Sequence, residues 1–124
     1  LKEYAKMPYD RDILVRLIVK KEKAVFDYQS VRNSQTDFPV LTCAVAGTES
    51  GYRFSIGARP GKAVLFELTD ADIREADVEN VAEYAAKCVK EQIETGSNTR
   101  GSAEYRKHLA GVLVKRAVCK LEGK

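Results

Sequence analysis

The feature that most constrains the fold is a change in hydrophobic period about halfway along the chain. In the range 51–58, Tyr52, Phe54 and Ile56 alternate with mostly polar residues, which is the period of a half-buried strand. From residue 78 onward the apolar residues recur three or four positions apart, the period of a helix that buries one face. They are Val78, Val81, Ala82, Ala85, Ala86, Val89 and Ile93. Strands followed by helices predict an α+β two-layer sandwich, in which an antiparallel sheet of three to four strands packs against C-terminal helices.

Three further segments complete the expected sheet. Residues 13–19 and 39–46 are short apolar runs with charged residues or glycine at their ends, and we predict a strand in each. Residues 48–51 have the composition of a hairpin turn, which would join the strand at 39–46 to the strand at 51–58. The range 63–68 is compatible with a short edge strand or with a turn of helix.

Two helices are expected in the second half of the chain. The first would run from about residue 78 to residue 94, with Asp77 as its capping residue and Asn80 at the third helical position. The second would follow a glycine and serine loop, with an acid in its first turn and bases towards its last turn. We expect its core face to carry Tyr105, Leu109, Val112, Leu113 and Val118, and its solvent face to carry Glu104, Lys107, Lys115 and Lys120.

The composition argues against several classes of function. The net charge is +3, the basic residues are scattered, and the aromatic residues do not follow them, so we expect no nucleic-acid partner. No apolar run approaches the roughly 20 residues of a membrane span, so no membrane segment is expected. Cys43, Cys88 and Cys119 are widely spaced and the chain has one histidine, which fits neither a metal site nor a disulfide framework. This cysteine usage favours a reducing cytoplasm.

The order of residues 100–106, Arg-Gly-Ser-Ala-Glu-Tyr-Arg, is more specific than helix formation requires. It resembles the C-terminal domain of the flavoprotein subunit of molybdenum hydroxylases, the carbon monoxide dehydrogenase and xanthine dehydrogenase relatives. In that family the last helix opens with roughly Asp-x-Arg-Gly-Ser-Ala-Glu-Tyr-Arg, and Asn98 stands where the family has the aspartate. The resemblance extends over residues 13–121 and is most specific in 100–106.

Residues 27–39 are similar to the family segment that precedes the first strand of this domain. Arg32 falls where the family carries a base, and Asp37 and Phe38 fall where it has aspartate followed by tyrosine or a bulky aliphatic residue. In the family that side chain packs against the isoalloxazine ring of FAD, so the resemblance implies cofactor-binding roles for Arg32, Asp37 and Phe38. The residues alone leave a second interpretation open, in which Phe38 is an ordinary core aromatic at the mouth of a strand. The family's second base is replaced by Asn33.

The remainder of a FAD site is not expected in this chain. Gly47, Gly51, Gly57 and Gly61 are isolated turn glycines and do not form a loop of adjacent backbone donors around a phosphate. We therefore expect the chain alone to bind FAD weakly or not at all and to be inactive. For Arg100, Tyr105 and Arg106 we expect a structural role, in which their polar groups satisfy loop carbonyls and lock the domain.

The resemblance implies a function for the domain within a larger enzyme. It would be the C-terminal domain of the FAD-binding subunit of a molybdenum hydroxylase of xanthine, aldehyde or carbon monoxide dehydrogenase type. There it would cover the flavin and brace the FAD domain while electrons pass from molybdopterin through iron–sulfur clusters to FAD. The implied partners are the preceding FAD domain and the molybdopterin and iron–sulfur subunits.

The domain division follows from the same resemblance. Residues 1–22 would be the end of the FAD domain and the connection out of it, and residues 23–124 the flavoprotein C-terminal domain. The first residue is leucine, which suggests a piece of a longer polypeptide. A different class of function remains open, a free-standing α+β protein-interaction module without a cofactor. An independent small enzyme is disfavoured because no nucleophile, base and oxyanion donor can be assembled from the motifs.

Overall fold

The structure is a computed structural model, and it describes residues 13, 15–19, 21–77 and 79–123. Within these ranges the chain forms four strands followed by three helices, which confirms the predicted α+β two-layer sandwich. The elements are β1 (Val25–Arg32), β2 (Pro39–Thr48), β3 (Gly51–Gly57), β4 (Val64–Thr69), α1 (Asp70–Glu75), α2 (Val81–Gln92) and α3 (Ala103–Leu121).

The sheet is an antiparallel meander with the strand order β1-β2-β3-β4. The predicted turn at 48–51 is confirmed, because Thr48 pairs with Gly51 at the end of the hairpin. Gly51 has a φ of 125°, and a Cβ atom there would lie 2.2 Å from the Leu68 carbonyl oxygen, so this position requires glycine. The range 63–68, which the sequence left undecided, forms most of the edge strand β4.

The core lies between one face of the sheet and the two longer helices. Helix α3 packs on β1 and β2, and α2 packs on α3. Apolar side chains of β2 and β3 fill the sheet side of the core, and those of α2 and α3 fill the helix side. Its most completely buried members include Leu41, Val45, Phe54, Ile56, Ala85, Leu113, Val114 and Val118.

The opposite face of the sheet remains open within the described part of the chain. Phe26 and Tyr28 of β1 alternate with the buried Asp27, so they lie on the face away from the helices, and both rings are exposed. On β2 the residues paired with them are the small Ala46 and Ala44. No helix among the described residues is long and apolar enough to cross a membrane.

Two of the strand predictions are corrected. The described residues of 13–19 are not in a strand, and their apolar side chains are exposed; Leu14 lies outside the described residues. A strand needs a hydrogen-bonding partner, and the described residues of this run pair with none of the four strands. The first strand of the domain is instead β1, so the segment that we expected to precede the first strand contains it.

The boundaries of α2 are also corrected. The helix begins at Val81, and Asn80 is its N-cap, with Oδ1 accepting a hydrogen bond from the Glu83 backbone N–H at 3.2 Å. Asp77 does not cap it, because Asp77 has a φ of 47° and follows the unpredicted short helix α1. The expected first residue, Val78, lies outside the described residues.

Helix α3 follows the prediction closely at its ends and less closely on its core face. Ser102 is the N-cap, and its Oγ accepts a hydrogen bond from the Tyr105 backbone N–H at 3.1 Å. Leu109, Leu113 and Val118 are buried as expected, and Val112 is half-buried. Tyr105 was assigned to the core and is 45% exposed, so this assignment is wrong. The first buried residue of the helix is the next one, Arg106, and a pattern of apolar residues cannot indicate a buried arginine.

Candidate functional site

Two loops lie side by side at one end of the sheet. One is the β1–β2 loop, residues 33–38, and the other is residues 93–102, which lead into α3. Asn33 of the first loop donates its side-chain N–H to the Arg100 carbonyl oxygen at 3.2 Å. Arg100 in turn donates from Nε to Asp37 Oδ1 at 3.1 Å. These contacts bring together the two segments that carry the family resemblance.

The three predicted site residues are neighbours in the β1–β2 loop. Arg32 ends β1 at a register shift and donates from Nη1 to the Asp37 carbonyl oxygen at 2.5 Å. The loop turns at Ser34, whose carbonyl oxygen accepts from the Asp37 backbone N–H at 3.2 Å. Asp37 Oδ1 also accepts a hydrogen bond from the Phe38 backbone N–H at 2.7 Å. The structure thus groups Arg32, Asp37 and Phe38 at one surface.

Phe38 does not belong to the core. Its side chain is 74% exposed, so the interpretation of this residue as a core aromatic is wrong. The Arg100 guanidinium carbon lies 5.3 Å from the ring centroid, within the range of a cation–π contact. The Phe38 ring is therefore in contact with the Arg100 guanidinium and is otherwise exposed.

A buried arginine locks the neighbouring loop. Arg106 is 1% exposed, and its guanidinium donates four hydrogen bonds to the chain around it. Nε donates to Val40 O at 2.9 Å, Nη1 to Gly96 O at 2.7 Å and to Gly101 O at 2.5 Å, and Nη2 to Asn98 Oδ1 at 2.5 Å. The expectation that an arginine of the motif satisfies loop carbonyls is confirmed for Arg106.

The surroundings of Arg106 disfavour its positive charge. Burial lowers the pKa of the guanidinium below its ordinary value, and the positive charge of Arg100 lowers it further. Arginine nevertheless stays protonated in proteins, so the four acceptors face a cation. Asn98 Oδ1 accepts from the Arg100 backbone N–H at 2.9 Å as well, so one amide connects the two arginines.

The other two motif residues differ from expectation. Arg100 does not satisfy a loop carbonyl with its guanidinium; it forms an ion pair with Asp37. Tyr105 lies at the surface. Sequence reasoning therefore missed Arg100 as a member of the site. Arg100 and its partner Asp37 are 63 positions apart, so no local pattern could link them. The available signal was that the two family-like segments carry residues of opposite charge.

The arrangement suits one face of a planar ring system and not a phosphate group. Phe38 offers an exposed aromatic face, and the carboxylate and guanidinium groups beside it offer hydrogen-bond partners for polar ring edges. Each glycine of the described chain stands alone in the sequence, so no loop of adjacent glycines can cradle a pyrophosphate. The described residues also contain no group of three or more side chains suited to hold a metal ion.

The site is a surface and does not lie in the cleft on the other side of the molecule. That cleft, of about 240 Å³, lies between α2 and strands β3 and β4. Its lining residues, which include Phe54, Phe66, Tyr84 and Cys88, contain none of the three predicted site residues. A flat aromatic surface of this kind suits contact with a group held by another domain.

The fold and the paired loops define an α+β domain with an exposed aromatic ring, Phe38, that is contacted by Arg100 of the loop before the last helix. The sequence model of the family described as CO dehydrogenase flavoprotein C-terminal domain matches residues 26–121. The chain therefore belongs to that family. No curated protein sequence matches the chain significantly.

Three of the solved structures with a similar fold are enzymes. Carbon monoxide dehydrogenase from Hydrogenophaga pseudoflava, in a form lacking the Mo-pyranopterin moiety of the molybdenum cofactor, is 24% identical with a TM-score of 0.60 over 77% of this chain. Quinoline 2-oxidoreductase from Pseudomonas putida 86 is 19% identical with a TM-score of 0.61 over 78% of the chain. A cyanide-inactivated Cu,Mo-CO dehydrogenase is 21% identical with a TM-score of 0.60 over 81%. At these identities the likeness shows the fold, and this chain spans only 35%, 36% and 37% of those chains.

Proposed function

We propose that this domain covers one side of the FAD isoalloxazine ring in a molybdenum hydroxylase and braces the domain that binds the rest of the cofactor. The observation that carries the proposal is the exposed Phe38 ring, which is 74% accessible and supported from behind by Arg100. An aromatic side chain held in one direction at a surface suits stacking against another planar ring. Membership in a flavoprotein domain family supports flavin as that ring.

The residues of the loop have separate roles in the proposal. Phe38 packs against the flavin ring and keeps water from one of its faces. Asp37 uses Oδ1 for Phe38 and Arg100, which leaves its other carboxylate oxygen for a donor on the ring edge. Arg32 and Arg100 hold this loop in shape. Bound FAD supplies the electron-accepting chemistry, and none of these side chains needs to form or break a bond.

The bracing role is supported by the open face of the sheet. Phe26 and Tyr28 are exposed there, and such apolar surface is typical of a contact between domains. Glu22, from the segment before β1, forms an ion pair with Arg53 of β3 at 3.3 Å. We propose that residues 1–22 lead out of the FAD domain and that the exposed apolar side chains of residues 13 and 15–19 pack against that domain.

The enzyme as a whole is assigned more coarsely. The similar enzymes are named for carbon monoxide and for quinoline, so the shared fold accommodates enzymes with different substrates. We propose an oxidoreductase with molybdopterin and iron–sulfur partner subunits, in which the substrate is selected outside this domain. Electrons would then reach the flavin from those partners.

The test is Phe38→Ala in a polypeptide that contains the preceding FAD domain and this chain. We expect a changed flavin absorbance spectrum, because water replaces the stacked ring. Leu65→Ala is the matched control, since Leu65 is an exposed apolar residue of the edge strand β4. A Phe38→Ala protein with full flavin content and an unchanged spectrum would contradict the proposal.

A further inference from the structure

Arg100 is the residue that joins the two loops of the site. Its carbonyl oxygen accepts a hydrogen bond from Asn33, and its Nε donates to Asp37. Its guanidinium also lies against the ring of Phe38. Both the backbone and the side chain of this one residue therefore contact the β1–β2 loop.

Few other contacts fix the orientation of the Phe38 ring. Among the described residues, the exposed ring lacks the surrounding contacts that fix the rotamer of a core aromatic. Its backbone N–H is held by Asp37 Oδ1, and the same oxygen accepts from Arg100. The side chains of this ion pair are 34% and 30% exposed, so the pair is partly shielded from water. Backbone and ring of Phe38 are thus both held through Arg100.

Arg100 is itself held from the core side. Its backbone N–H donates to Asn98 Oδ1, which also accepts from the buried Arg106. A continuous series of contacts leads from Arg106 through Asn98 and Arg100 to the exposed ring of Phe38. The last helix is in this way connected to a ring on a loop between two strands.

We propose that Arg100 is a positioning residue that fixes the Phe38 ring and balances the charge of Asp37 behind it. This inference rests on the proposed function, because the group that the ring faces is taken to be the flavin. Removal of the guanidinium would release the ring and leave the Asp37 carboxylate unpaired. An unpaired negative charge near a group that accepts electrons makes reduction less favourable, so the flavin midpoint potential would fall.

The first test uses this chain without a cofactor. Amide hydrogen exchange of Asp37 and Phe38 reports directly on the loop, since both amides are hydrogen-bonded within it. In Arg100→Gln we expect their exchange to become about tenfold faster, because an ion pair and a cation–π contact are lost together. Lys115→Gln is the control, since it removes an exposed ion pair with Glu83 on the helices. Unchanged exchange at Asp37 and Phe38 in Arg100→Gln would overturn the inference.

The second test uses the flavin-loaded polypeptide and measures the flavin midpoint potential. We expect Arg100→Gln to lower it and Arg100→Lys to restore most of it, since lysine keeps the charge but not the planar contact with the ring. An unchanged potential in Arg100→Gln overturns the charge-balancing role. The Phe38→Ala spectrum tells the two proposals apart. If the Phe38→Ala spectrum changes while Arg100→Gln alters nothing, the positioning role of Arg100 fails and the flavin contact of Phe38 stands. If the Phe38→Ala spectrum does not change, the proposed flavin contact fails, whatever the result for Arg100→Gln.

Discussion

Replacing Arg106 by methionine tests whether the buried guanidinium holds the loop before α3. Methionine retains an unbranched side chain but removes all four hydrogen bonds. The Val40 carbonyl oxygen then lies in the interior without its donor. The other three acceptors lie closer to the surface, where water can replace the lost donors.

The expected loss follows from these different environments. An orphaned buried acceptor costs about 1–3 kcal/mol, and each of the other three bonds contributes about 0.5–1.5 kcal/mol when water can replace it. Relief from burying a charge offsets part of this loss. We therefore expect the free energy of unfolding to fall by about 3 kcal/mol, a large part of the roughly 5–15 kcal/mol that stabilises an ordinary domain.

Urea unfolding followed by far-UV circular dichroism measures this loss. Arg116→Met is the matched control, since Arg116 is exposed on the same helix and should change stability by no more than about 0.5 kcal/mol. If Arg106→Met does not fold, Asn98→Ala removes one acceptor and should cost about 1 kcal/mol. Equal unfolding midpoints for Arg106→Met and Arg116→Met would refute the locking role.

Further outcomes follow from burial and charge. Leu113→Ala should lower stability by about 2–5 kcal/mol and Lys107→Ala by less than about 0.5 kcal/mol; equal urea midpoints would mean that the facing of α3 is wrong. The hydrogen bond from Lys120 lowers the pKa of buried Asp27, so their interaction stabilises the fold above the unfolded pKa of about 3.9 and is lost as the pH falls through the folded value. The stability difference between the chain and Asp27→Asn should accordingly be about 1.5–3 kcal/mol at pH 7 and shrink below pH ~4; a difference independent of pH would contradict this pairing. Titration of the chain alone with FAD, followed by flavin fluorescence, should give weak binding, and submicromolar affinity would indicate a phosphate site that the described residues lack.

The strands that the sequence predicts are those with an apolar face that a short window can detect. β3 is found because Phe54 and Ile56 alternate with polar residues. β1 is not found, because its core-facing positions include Asp27 and Gln29, which look like solvent-facing residues. The partner that makes Asp27 tolerable in the interior is Lys120, 93 positions further along the chain. No local pattern contains that information.

Helix boundaries show a similar limit. Asp77 and Asn80 are both good capping residues by type, so composition cannot choose between them. The choice is made by the end of α1, which places Asp77 in the left-handed region. The start of α1, a helix that we did not predict, does carry a local signal, because Thr69 and Asp72 form a reciprocal capping pair at a spacing of three.

The candidate site was located by family resemblance and not by residue patterns. Patterns alone favoured a buried Phe38, because apolar residues beside strands are usually buried. They gave no reason to bury Arg106 completely, although its role in satisfying loop carbonyls was expected. Both exceptions depend on contacts between segments distant in sequence, which hydrophobic periodicity does not encode.

The order of residues in the family motif has a physical explanation in these contacts. Ser102 caps α3, and Arg106 lies one turn later, where its side chain points back towards the helix start and reaches Gly101 O. A Cβ atom at Gly101 would lie 3.1 Å from Val40 Cγ1, a tight contact, so glycine lets the loop approach β2 without displacing that side chain. Arg100 immediately precedes this close contact, which directs it to the β1–β2 loop. The residues that identify the family are therefore the ones that connect the last helix to the proposed flavin-facing loop.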